Sequence, residues 1–146
     1  TLYAPSLDDL SNIKHCSKLK TLSFGSYSLQ KKLKNEFILS ELPLENVYID
    51  NYFYNIDDIL KNLKHIKSLR LIGGKLKDIN IIGEFKQIEH ISLEYIRSEY
   101  KLLSITPLNN LNNLKNVFIA HCGDIDYAEI QQFKMHNPDC DLSIYK

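Results

Sequence analysis

The chain has 146 residues, 44% of them hydrophobic, a size and composition suited to one domain with a sizeable core. Eighteen basic and eighteen acidic residues cancel, so no net field draws it to nucleic acid or to an anionic membrane. Only Arg70 and Arg97 among the cationic residues are arginine, which weakens a phosphate-binding reading further, and no apolar run approaches the roughly 18–20 residues that cross a bilayer.

Six segments share the frame apolar-x-x-apolar-x-apolar: Leu19–Phe24, Leu44–Ile49, Ile66–Leu71, Ile88–Leu93, Leu114–Ile119 and a partial copy at Leu142–Ile144. Their middle apolar residues, at 22, 47, 69, 91, 117 and 142, are separated by 25, 22, 22, 26 and 25 residues. Strand side chains alternate between two faces, so each segment predicts a short strand with frame positions four and six turned inward. Leu2 lies 22 residues before Phe24, at position six of an earlier copy, so Thr1-Leu2-Tyr3 is expected to be the second half of a strand. On that reading the chain is a fragment cut inside a repeat and lacks an N-terminal cap.

The segments between strands carry their own periods. Leu7, Leu10 and Ile13 follow a Ser6/Asp9 capping box, which predicts a helix. Leu29, Leu33, Phe37 and Ile38 are expected on one face of a second return. Asn55 precedes Ile56, Ile59, Leu60 and Leu63, spaced as a short amphipathic helix requires. Gly73-Gly74 reads as a tight turn, and Leu76, Ile79, Ile82 and Phe85 recur every three residues, which suits a 3₁₀ helix. Pro107, between Ile105 and Leu108, fits only the first turn of a helix. Helices toward the two ends and tighter turns in the middle are therefore expected. Asp126 and Glu129 form a cap pair for a helix from Tyr127 to about His136, stopped by Asn137-Pro138. The last strand is flanked by Asp139, Asp141 and Lys146, polar as a sheet edge needs to be.

A period of 20–29 residues with this frame is the signature of leucine-rich repeats, and the chain resembles that superfamily over essentially its whole length. Leu76-Lys77-Asp78-Ile79 and Ile105-Thr106-Pro107-Leu108 with Leu111 and Leu114 look like the short bacterial repeats of the internalin kind. Glu129–Phe133 and Pro138–Leu142 are similar to the closing unit of such proteins. The resemblance implies an α/β leucine-rich-repeat solenoid: a curved parallel sheet of about six or seven short strands, with helices and 3₁₀-like turns on its convex side. It implies a single domain over 1–146 with a closing unit at about 124–146, recognition of proteins on the concave sheet, and no chemistry. The family's Asn or Cys at position nine is met only by Cys122; Tyr27, Tyr52, Gly74 and Ile96 stand in the other slots.

In this frame positions three, five, seven and eight face away from the core. Tyr48, Arg70, Tyr95 and Phe118, edged by Asp50, Glu94 and His90, form the candidate partner-binding cluster. Tyr and Arg cover much area with few rotatable bonds, and a solvated strand gains nothing from an exposed Phe. Six strands span about 25 Å, enough for a protein interface of about 800 Å² per partner. The competing reading is a solvated sheet on which Arg70 bridges Asp50 or Glu94.

No catalytic constellation is found. His90 and His121 fall five frame positions apart, too far to share a metal, and His121 and Cys122 point to different faces. Asp8-Asp9 and Asp57-Asp58 open returns, where carboxylates offset a helix dipole. Cys16, Cys122 and Cys140 form no CxxC pair, so reduced, mostly packed thiols are expected, which together with the lack of a leader segment favours the cytoplasm. No cofactor and no metal are expected. The function expected is a monomeric, non-enzymatic module that recognises a protein. A bacterial immunity protein or adaptor fits that description. The alternative is the substrate-recognition domain of a larger enzyme or secreted effector whose catalytic part lies elsewhere.

Overall fold

The computed structural model describes residues 1–25, 32–50, 56–98 and 103–146. Among these, seven strands form one parallel sheet: β1 (Leu2–Ala4), β2 (Thr21–Gly25), β3 (Asn46–Asp50), β4 (Ser68–Ile72), β6 (His90–Glu94), β8 (Asn116–Ala120) and β9 (Asp141–Tyr145). They lie side by side in chain order, so each strand sits beside the one from the neighbouring unit. A separate two-stranded pair, β5 (Lys75–Leu76) with β7 (Arg97–Ser98), was not foreseen. The architecture is α/β with an open, all-parallel sheet and few helices, compatible with a repeat solenoid.

The apolar frame sets the register. Leu22, Val47, Leu69, Ile91, Val117 and Leu142 lie in one row, and Phe24, Ile49, Leu71, Leu93, Ile119 and Ile144 in the next. All but Leu142 and Ile144, on the last strand, are at most 4% exposed. Each such side chain contributes about 1.5–3 kcal/mol by leaving water. The first strand departs from expectation. Leu2 pairs with Leu22 and Ala4 with Phe24, an offset of 20 residues, so Leu2 stands at position four instead of six. Its side still faces inward, because a slip of two residues preserves the face.

The returns complete the core from the other side, and they are tighter than predicted. Among the described residues 3₁₀ helices span Ser11–Ile13, Glu36–Glu41, Asn80–Glu84 and Thr106–Asn110, while α helices occupy only α1 (Ile56–Lys61) and α2 (Tyr127–His136). The expected order of helices toward the ends is therefore corrected at the N-terminal end, where the helical turns among the described residues of both returns are 3₁₀. A 3₁₀ helix rises about 2.0 Å per residue against 1.5 Å, so it carries the chain back along a strand with fewer residues. The Ser6/Asp9 box forms no α helix; Asp9 Oδ1 instead accepts the Ser11 N–H at 2.9 Å, and its neighbours pair with Lys34 of the next return. In the second return Leu33 and Ile38 are buried, but Phe37 is 54% exposed, contrary to its expected place on their face. A 3₁₀ turn of three residues separates neighbours that a helix of 3.6 would bring together. Leu29 and Asn55 lie outside the described residues.

The remaining returns match their periods. Ile56, Ile59, Leu60 and Leu63 are buried by α1 and its end, and Leu76, Ile79, Ile82 and Phe85 line the 3₁₀ return. Pro107 sits in the first turn of its 3₁₀ helix. Asp126 caps α2, accepting the Ala128 N–H at 2.8 Å. Glu129 does not join that cap. Its carboxylate accepts the Ile105 N–H at 2.7 Å and Ser104 Oγ at 3.0 Å, closing the start of the preceding return.

Candidate functional site

The register that buries one row exposes the next. On the outer face of the sheet Ser23, Tyr48, Arg70, Ser92, Phe118 and Ser143 form one row. Gly25, Asp50, Ile72, Glu94, Ala120 and Tyr145 form another, nearer the ends of the strands. Tyr48 lies beside Arg70. Arg70 Nε donates to Glu94 Oε1 at 3.0 Å, which selects Glu94 over Asp50 as its bridge partner. Ser92 Oγ donates to the same oxygen at 2.9 Å. Asp50 is exposed at the margin. Not every outward position is open, since Gly25 and Ala120 are buried. Gly25 has no space for a side chain: a Cβ there would stand 1.9 Å from the Asp50 carbonyl oxygen.

The strands end in a turn with a specific demand. The residue after β4 is Gly73, after β6 Tyr95 and after β8 His121, with φ of 71°, 55° and 54°. Each donates its N–H to the next strand's final residue, at Glu94, Ala120 and Tyr145, so the ladder continues one step and the chain then swings left-handed. Glycine adopts this φ freely, whereas a residue with a Cβ is strained there by about 1–2 kcal/mol. Tyr95 and His121 hold it nonetheless. Their rings stack, centroids 4.7 Å apart at 21°, with Tyr95 55% exposed. Phe118 and Tyr145 form a second pair, 5.4 Å apart at 39°, and are 36% and 56% exposed. The two pairs border an open depression of about 390 Å³ together with Glu94 and Lys146.

The structure thus brings Tyr95, Phe118 and Glu94 together, and adds His121 and Tyr145. Those two occupy outward frame positions eight and seven, so their side was legible in the sequence. Tyr145 meets Phe118 through the strand register, whereas the stacking of His121 on Tyr95 was not legible, because both stand in the left-handed turn. Tyr48 stands three strands from Phe118, about 14 Å away at ordinary strand spacing. His90 lies at the opposite end of β6, its Nδ1 2.8 Å from Asn116 Oδ1, and belongs to the rim where strands start.

That starting rim has a different chemistry. Lys20, Glu45, Lys67, Glu89 and Lys115 occupy the same frame position in five successive units and alternate in sign. Lys20 and Lys67 both bond Glu45, and Lys115 bonds Glu89. The hydrogen bonds from Lys20 and then Lys67 hold the Glu45 carboxyl below its ordinary range, and that from Lys115 does so for Glu89.

Cys122 is explained by packing. It is 4% exposed, its Sγ lies 3.3 Å from Leu93 O and 3.2 Å from Ala120 O, and it accepts the Ile96 N–H at 3.4 Å. Burial pushes its thiol up, so it stays protonated and unreactive. Cys140 is partly buried and raised for the same reason, with Asp141 adding to it. Cys16 is exposed. Of the other position-nine residues, Ile96 is buried and Gly74 is left-handed, while Tyr27 and Tyr52 lie outside the described residues. Among the described residues no helix is long and apolar enough to cross a membrane. No protein-family model matches the chain, and no curated protein matches it.

Proposed function

We propose that the chain is a leucine-rich-repeat-type solenoid that binds a protein partner through the outer face of its sheet and carries out no catalysis of its own. The observation that carries this reading is the clustering of Tyr95, Phe118, His121 and Tyr145 as exposed, paired rings at the ends of adjacent strands. Exposed aromatic side chains gain little from water and much from a covering surface. Two of them stand in left-handed backbone, a strain that supports a functional position. Arg70 and Glu94 supply directed polar groups beside the rings, the mixture expected of an interface centre with a polar rim.

Affinity capture from lysate of the encoding organism tests the reading. A partner held by the natural chain and lost by a Tyr48→Ala/Phe118→Ala variant of unchanged fold supports it. A partner held equally by both variants places recognition on the returns or at the ends of the sheet.

A further inference from the structure

The depression at the ends of β6, β8 and β9 has a composition that selects among ligands. Its walls are aromatic: the stacked Tyr95–His121 pair on one side and the Phe118–Tyr145 pair on the other. Between them Ala120, the only small residue of its row besides Gly25, leaves the space open. The charge at its border is Glu94, whose side chain is 19% exposed. Among the described residues both of its side-chain hydrogen bonds, from Arg70 and Ser92, fall on Oε1, which leaves the lone pairs of Oε2 for another donor. Among the described residues lining it, Lys146 carries the positive charge; it is 87% exposed and paired with Asp124 at 3.2 Å, so that charge is offset by its own partner.

Each ligand class meets these walls differently. Glu94 is already paired with Arg70 through Oε1, and its Oε2 offers an anion no donor. A purely aliphatic side chain would cover a carboxylate and two phenol groups without bonding them, which desolvates polar groups at a loss. A planar cation suits both features. Guanidinium stacks on aromatic faces, is weakly hydrated compared with ammonium, and bonds carboxylates through a fixed fork. At about 390 Å³ and open to solvent, the space has room for a long side chain.

We propose that this depression is the socket for one arginine side chain of the protein partner, its guanidinium stacked against the Tyr95 and Phe118 rings and bonded to Glu94. The inference rests on the reading of the sheet face as the partner surface, and it commits that reading to a basic partner segment.

The test uses Nα-acetyl-arginine methylamide as the probe, with the citrulline compound as its uncharged twin of the same shape and the norleucine compound as an aliphatic control. Aromatic NMR signals of the full chain are followed during titration. The expected result is saturable movement of the Tyr95, Phe118, His121 and Tyr145 signals by the arginine probe, with citrulline and norleucine at least five-fold weaker. Glu94→Gln should weaken the arginine probe at least five-fold. Tyr95→Gly, which removes a wall while relaxing the left-handed turn, should abolish the response with the remaining spectrum intact. Equal binding of arginine and citrulline, stronger binding of norleucine, or no movement of these signals in the folded chain overturns the proposal. Partner capture that depends on the sheet face, combined with any of those results, removes the arginine socket and leaves the binding face standing. An arginine response combined with capture indifferent to the face does the reverse.

Discussion

The two rims of the sheet solve opposite problems. Where the strands start, Lys20, Glu45, Lys67, Glu89 and Lys115 alternate in sign, and each carboxylate there is bonded by a lysine of a neighbouring unit. Where the strands end, Gly73 is followed one and two units later by Tyr95 and His121 in the same left-handed turn, with rings exposed and backbone strained. The first rim satisfies itself and needs nothing from outside. The second holds exposed rings and left-handed backbone that no contact among the described residues covers. That contrast is the ground for proposing the second rim, and not the first, as a recognition surface, where composition alone would not distinguish them.

The largest effect should come from the core that both rims share. Leu93, fully buried one residue before Glu94, should lose about 2–5 kcal/mol on change to Ala, while Ser92→Ala, on the outer face, should move the urea midpoint little. A reversed order would put the wrong face of β6 in the core. Gly25→Ala should be next, at about 1–3 kcal/mol, because its Cβ meets the Asp50 carbonyl and forces two strands apart. A neutral result there would mean that β2 and β3 do not approach so closely at their ends.

The turn itself provides a paired test. Gly73→Ala should destabilise by about 1 kcal/mol, and at position 95 the Gly variant should be more stable than the Ala variant by a similar amount. Equal stability of the two variants at 95 would remove the strain from the argument. The smallest effect belongs to the charged rim. Glu45 and Glu89 have folded pKa values below the ordinary 4.5, so their contribution is fully present above that value and is lost as pH falls through the lower folded values. Melting temperature should therefore fall with acidification in that window. A Glu45→Gln/Glu89→Gln variant should show a shallower fall, and added salt should shrink the difference.

The sheet was legible in the sequence because a period of two, repeated at 22 to 26 residues, leaves one register that buries Val47, Leu69, Ile91 and Val117 together. The first strand was misplaced by two residues because Leu2 and Ala4 offer only a partial frame. The returns were harder. An apolar residue every third or fourth position suits α and 3₁₀ helix alike, and the choice depends on how far the chain must travel to the next strand, which Leu7, Leu10 and Ile13 do not encode. Glu129 followed the spacing of a cap yet served the neighbouring return, a contact between units that local spacing cannot express. The aromatic cluster was half legible: Tyr95 and Phe118 stood on the right face, but a left-handed Tyr or His carries no sequence mark of the kind glycine provides. Without that turn, His121 could not be joined to Tyr95.

The central claim, that the aromatic end of the sheet is the recognition surface, is most directly tested by hydroxyl-radical footprinting of the chain alone and with its captured partner. Six large side chains report from distinct places: Tyr95, Phe118 and Tyr145 on the sheet, Phe37 on a return, Tyr127 and Met135 on α2, all exposed in the free chain. The account predicts that the partner shields Tyr95, Phe118 and Tyr145 while Phe37, Tyr127 and Met135 are oxidised as before. Shielding of Phe37, Tyr127 or Met135 with the three sheet residues still fully reactive would contradict it.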